Sequence, residues 1–109
     1  MKLNMGCGFN KTKDFINVDK APECQPDLLM DLESLPWNIE SNQADEVLFN
    51  HCLEHLGQDT KIFLGIMKEL YRICKPNAKV LICIDRVNCF LNSCIFYYWA
   101  KCKAGSLRR

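Results

Sequence analysis

The feature that most restricts this chain is the run from Leu3 to Asp19, Leu-Asn-Met-Gly-Cys-Gly followed after a short gap by Ile-Asn-Val-Asp. A brief apolar strand ends in a glycine turn, and a second strand ends in an acid. Gly6 and Gly8 carry no Cβ, so the backbone there can adopt positive φ and lie directly against a ligand. Asp19, at the tip of the second strand, can accept hydrogen bonds from both hydroxyls of a ribose. A glycine turn with a downstream acid is the nucleotide-binding arrangement of open α/β sheets, where ligands sit over the carboxyl ends of the strands.

A dinucleotide fingerprint fits less well. No third glycine follows at the required offset, where Asn10, Lys11 and Thr12 stand instead. The acid also arrives sooner than the roughly twenty residues such a site expects. The stretch more closely resembles the cofactor motif of the class I S-adenosylmethionine-dependent methyltransferases, which runs from hydrophobics through Gly-x-Gly to an acid closing the second strand. Between Gly8 and Phe15 the chain is too short for a normal crossover helix, since parallel neighbours usually need a dozen or more connecting residues. An abbreviated first helix or a tight loop is therefore expected.

Lys20 to Pro26 is loop by its two prolines, and Asp27 to Asp31 reads as a short buried strand. Ala44 to Asn50 forms a fourth strand after the Leu35-Pro36-Trp37 segment, and His51-Cys-Leu-Glu54-His55 follows it. From Asp59 to about Lys75, apolar residues at Ile62, Phe63, Ile66, Met67, Leu70, Ile73 and Cys74 recur at helical spacing. Asp59 can cap that helix. Pro76-Asn77 ends it, with Asn77 able to take the left-handed conformation. Ala78 to Ile84 is a fifth strand. The order of these motifs extends the methyltransferase resemblance from Lys2 to Ile84.

The resemblance implies an α/β Rossmann-like three-layer sandwich, with a mostly parallel sheet of about five strands and the final antiparallel strands missing. It implies residues 1–85 as the cofactor core and 86–109 as an aromatic and basic tail in a shortened chain. It also implies S-adenosyl-L-methionine as cofactor. Cofactor contacts are expected from Asn4, Gly6, Cys7, Gly8, Asp19, Asp31, Leu32 and Asn50, with Asp31 and Leu32 at the adenine. His51 or His55 can take a proton from the methyl acceptor, whose class the sequence does not specify.

Two other readings remain open. His51, Glu54 and His55 fit the H-x-x-E-H pattern of inverted zinc proteases, which would make the chain a metal-dependent hydrolase. A shortened domain could instead be a non-catalytic scaffold, its fifth strand an exposed edge that the aromatic tail covers or a partner pairs with. No resident metal is expected on the methyltransferase reading.

Composition narrows the setting. With 14 basic and 13 acidic side chains, charge gives no case for a nucleic-acid partner. The eight cysteines show no C-x-x-C pair, and several fall on apolar positions, where free cysteine acts as a small hydrophobe. The opening residues have no apolar run of signal-peptide length, and the apolar tail is shorter than a membrane helix. A reducing cytoplasm is the expected compartment.

Overall fold

The computed structural model describes residues 1–50, 56, 58–85 and 94–100; for 50, 83–85 and 94–100 only the backbone is described. Among the described residues, six strands form one sheet: β1 (Lys2–Met5), β2 (Ile16–Asp19), β3 (Leu28–Leu29), β4 (Ala44–Asn50), β5 (Cys74–Asp85) and β6 (Cys94–Ala100). Their order is β3-β2-β1-β4-β5-β6. The first five are parallel to their neighbours, and β6 runs antiparallel to β5. The α-helix α1 (Thr60–Ile73) lies between β4 and β5, and a short 3-10 turn spans Pro22–Cys24.

This is the expected Rossmann-like α/β fold, with one correction. An antiparallel strand is present at the far edge, where the sequence reading expected such strands to be missing. β6 pairs with β5 from Lys79↔Ala100 to Asp85↔Cys94 and so covers the edge that would otherwise offer unpaired N–H and C=O groups. The segment escaped the sequence reading because aromatic residues crowd it without a clean period-2 alternation.

The core follows from alternation along the strands. Leu3, Met5, Val18, Val47, Phe49 and Val80 point to one face, where they are essentially inaccessible. Against them packs the apolar side of α1, through Ile66, Leu70 and Ile73, with Ile62 and Met67 partly buried beside it. Trp37, Ile39 and Leu32 complete the cluster from the β3–β4 connection. Trp37 is 3% exposed, so its indole N–H needs a partner, and it donates to the Leu32 carbonyl at 2.8 Å.

Asp59 caps α1 as its position suggests, its side chain accepting from the Lys61 amide at 2.7 Å. The helix end differs from expectation: α1 stops at Ile73, and Cys74 already pairs with Ala44 in the sheet. Asn77 is left-handed (φ 69°), but it sits within an irregularity of β5 between the Ala44↔Cys74 and Glu46↔Lys79 pairs. Its tolerance of that conformation lets the extra residues bulge out before pairing resumes.

The opposite face is covered differently. Ten residues without a helix link β1 to β2, fewer than parallel strands usually require. Phe15 lies over this face with the Lys2 ammonium 5.8 Å from its ring centre. Beside it a shallow groove is lined by Phe15, Glu46, Leu48, Lys79 and Leu81.

Candidate functional site

Because β1, β2 and β3 are parallel and adjacent, their carboxyl ends bring the glycine turn, Asp19 and the segment before Asp31 to one edge. Gly6 and Gly8 both have positive φ, 65° and 53°, a conformation that costs a Cβ-bearing residue about 1–2 kcal/mol. The Cys7 amide donates to the Val18 carbonyl at 2.9 Å, which keeps the turn on the sheet edge one step beyond the Met5↔Val18 pair. The Asn10 amide then closes the turn onto the Cys7 carbonyl at 2.9 Å.

The acid meets the turn directly. The Gly8 amide donates to Asp19 Oδ2 at 2.8 Å, and the Ala21 amide donates to Oδ1 at 2.9 Å. Each carboxylate oxygen has two acceptor positions, so one on each remains for a ligand hydroxyl. A Cβ placed on Gly8 would meet nothing within 4 Å: space beyond the turn is open. Phe9, the next residue, is 77% exposed.

The other expected residues separate into groups. Asp31 is exposed and follows β3, which is tied to Asp19 through the Met30 amide and the Asp19 carbonyl at 2.9 Å. Its Oδ1 accepts from the Glu33 amide at 2.9 Å, making a local turn. Leu32 does not present its side chain to this edge; it packs into the core at 5% exposure. Cys7 is buried, its thiol donating to the Gly8 carbonyl at 3.3 Å. Burial pushes that thiol's pKa up, with the neighbouring Asp19 charge adding to it. Cys24 is raised for the same reasons in the same order. Asn50 ends β4, its backbone paired with Cys83, next to the Met5↔Phe49 pair. His51, Glu54 and His55 lie outside the described residues. Among the described residues, no group of His, Cys, Asp and Glu could hold a metal ion.

Asn4 was expected at the cofactor, but its side chain is otherwise engaged. It is 2% exposed, and its amide nitrogen donates to Asn17 Oδ1 (2.9 Å), the Asn10 carbonyl (3.2 Å) and Thr12 Oγ1 (3.2 Å). Asn17, its register partner on β2, was not singled out from the sequence. Asn17 Oδ1 also accepts from the Thr12 amide at 2.8 Å. Its side-chain nitrogen donates to Asp27 Oδ2 (2.9 Å) and to the carbonyls of Phe15 (3.2 Å) and Thr12 (3.3 Å). Asp27 Oδ2 takes the Asn17 backbone amide as well, at 2.8 Å. These donors hold the Asp27 carboxyl below its ordinary pKa, the backbone N–H foremost. The available signal was an asparagine at the same point of two adjacent strands, where apolar residues are the norm.

A family model described as methyltransferase domain matches residues 6–82, from the glycine turn through most of β5. The chain belongs to the methyltransferase-domain family. Two solved structures share the fold of this methyltransferase domain. One is the PH0226 protein of Pyrococcus horikoshii, 17% identical with a TM-score of 0.60, over 77% of this chain and 48% of that one. The other is a Listeria monocytogenes protein assigned as an S-adenosylmethionine-dependent methyltransferase, also 17% identical with a TM-score of 0.60, over 78% of this chain and 47% of that one. The methyltransferase domain here thus spans about half the length of those two proteins. No curated protein resembles it closely enough to count as a match.

Proposed function

We propose that this domain binds S-adenosylmethionine across the carboxyl ends of β1, β2 and β3, and that it transfers the methyl group to an acceptor. The observation that carries the reading is the Gly8–Asp19 hydrogen bond beside open space, which joins the bare turn and the ribose-type acid into one cradle. Asp19 would accept from the two ribose hydroxyls with the acceptor positions its backbone partners leave over. Gly6, Cys7 and Gly8 would lie along the methionine end, and Asp31 with the Leu32 backbone would face the adenine.

The sulfonium supplies an already activated methyl group, so the domain's task is to hold donor and acceptor aligned, worth several kcal/mol of barrier. Asn50, at the end of β4, stands where the methyl end would emerge, and His51 or His55 after it would take a proton from the acceptor. Residues 1–85 would form the cofactor core, with 86–109 as a tail whose strand β6 docks on its edge. In the described part no helix is long and apolar enough to cross a membrane. Cys7 and Cys24 stand outside any disulfide, in keeping with a reducing cytoplasm.

The second reading, a non-catalytic cofactor-binding or scaffold domain, draws on the coverage of about half of each neighbour. Titration calorimetry with S-adenosylmethionine, with and without zinc, separates the readings. Heat from the nucleoside alone, weakened about a hundredfold in Asp19→Asn, is the expected result. Binding only with zinc would shift the case to a hydrolase at His51, Glu54 and His55. Silence under both conditions would leave the scaffold.

A further inference from the structure

We infer that Asn17, which touches no ligand position, is the residue that sets the affinity of the site for the methionine end of the cofactor. The inference rests on the cofactor reading above and adds a positioning residue to it. Its basis is the missing helix. In a glycine-turn site with a full crossover helix, the carbonyls after the turn and all but the first four N–H groups are satisfied within that helix. Here ten residues return directly from β1 to β2. Their polar backbone groups need other partners, because an unpaired group in a partly buried loop costs about 1–3 kcal/mol.

Asn17 provides three of them directly. At 5% exposure, its side chain holds the Thr12 amide and carbonyl and the Phe15 carbonyl. Through Asn4 it also fixes the Asn10 carbonyl and the Thr12 hydroxyl. Asp27 orients it by accepting both its backbone amide and its side-chain amide. Asn10 in turn carries the hydrogen bond that closes the turn at Cys7. The chain of contacts therefore runs from Asp27 through Asn17, Asn4 and Asn10 to the Cys7 carbonyl between Gly6 and Gly8.

Asp19 is less dependent on this network. Its second oxygen is held independently by the Ala21 amide. Loosening Asn17 should free the glycine turn and leave the ribose acceptor in place. The two ends of the ligand should then respond differently, which a general loss of packing would not produce.

The test is calorimetry on the full chain with S-adenosylhomocysteine and with adenosine, at a temperature where circular dichroism shows each variant folded. Asn17→Leu keeps the branched outline of the side chain and removes every polar contact it makes, leaving only the backbone amide bond to Asp27. It should weaken S-adenosylhomocysteine binding by about thirtyfold and adenosine binding by less than about threefold. Thr12→Val, a milder change at the edge of the network, covers the case in which Asn17→Leu does not fold. It should cost about threefold for S-adenosylhomocysteine only. Ile66→Val, a core change remote from the loop, should leave both affinities unchanged. Equal losses for the two ligands, or none, would overturn the inference. Wild-type protein silent toward both ligands would overturn the cofactor reading and this inference with it, a result distinct from equal losses in the variant.

Discussion

The two halves of the sheet are held together by different physics. Around β4, α1 and β5 the connection is a full helix whose apolar side packs on Val47, Phe49 and Val80. Around β1, β2 and β3 the links are ten and eight residues without an α-helix, and polar side chains tie them down. Asn4, Asn17 and Asp19 each hold backbone amides or carbonyls of the loops they face, and Asp27 holds the backbone amide of Asn17 in β2. Area burial is non-directional, whereas hydrogen bonds fix position. The half that would grip the ligand is the half built from directional contacts.

Cutting into the apolar half should have the largest effect. Ile66 is fully inaccessible between α1 and the sheet. Ile66→Ala should lower unfolding free energy by about 2–5 kcal/mol, read from the guanidinium midpoint, through lost transfer energy and a residual cavity. A smaller loss than Asn17→Leu produces in the same assay would reverse the comparison and make the polar half the more stabilising one.

Next in size is the seam between the halves. Glu69 on α1 accepts from the Trp37 amide at 2.8 Å and holds the Arg72 guanidinium at 2.7 and 2.8 Å; Arg72 also donates to the Trp37 carbonyl at 3.2 Å. Trp37 in turn fixes the Leu32 carbonyl after β3. Glu69→Ala should cost about 1–3 kcal/mol by leaving the Trp37 amide without its acceptor and the guanidinium without its charged partner. Hydrogen exchange should rise at residues 31–38 as well as in α1. A rise confined to α1 would show that the seam does not join the halves.

The apolar half was the more legible one. Ile66, Leu70 and Ile73 announce themselves by spacing, and Asp59 by its place before the run, so α1 could be drawn from the sequence to within two residues. Gly6, Gly8 and Asp19 were legible because positive φ and an acid at a strand end leave few alternatives. Asn4 and Asn17 were not, because a lone asparagine in a strand carries no sign of its partner until the β1–β2 register is known. The direction of the Leu32 side chain was hidden for a related reason: adjacency to Asp31 says nothing about which way it turns, and it packs into the core with Trp37. β6 was hidden because its pairing is decided by the open edge of β5, a property of the sheet and not of residues 94–100.

Titration separates the halves further. The Asp27 and Glu69 carboxyls both lie below their ordinary pKa, Asp27 through the Asn17 donors and Glu69 chiefly through Arg72. A carboxyl depressed in the folded state adds stability above its unfolded value, about 4, and that stability is lost as pH falls through the folded value. Both halves should weaken in acid. Cys7 and Cys24 are raised in the folded state, chiefly by burial, so their contribution is intact below about pH 8.5 and is lost as pH rises through the folded values. Both belong to the loop half. The melting temperature should be level between about pH 5 and 8 and fall on either side. Replacing both cysteines with alanine should flatten the alkaline side and leave the acid side as it was. An alkaline fall unchanged in that double variant would place the titrating groups elsewhere.

The smallest effect tests how tightly the β3–β4 connection presses on the helix. Gly65 lies within α1, where glycine costs about 1 kcal/mol relative to alanine. A Cβ there would stand 2.3 Å from Leu35 Cδ1, too close for both to keep their places. The obstacle is the end of a side chain that is 36% exposed and can swing outward. Gly65→Ala alone should therefore change stability by less than about 0.5 kcal/mol, helix gain and displacement nearly cancelling. With Leu35→Ala already present, the same change should stabilise by about 1 kcal/mol relative to that background. The difference between the two backgrounds measures the contact between the connection and the helix. A null difference would mean that Leu35 moves aside freely, leaving the Glu69–Trp37 hydrogen bond to hold that segment against α1.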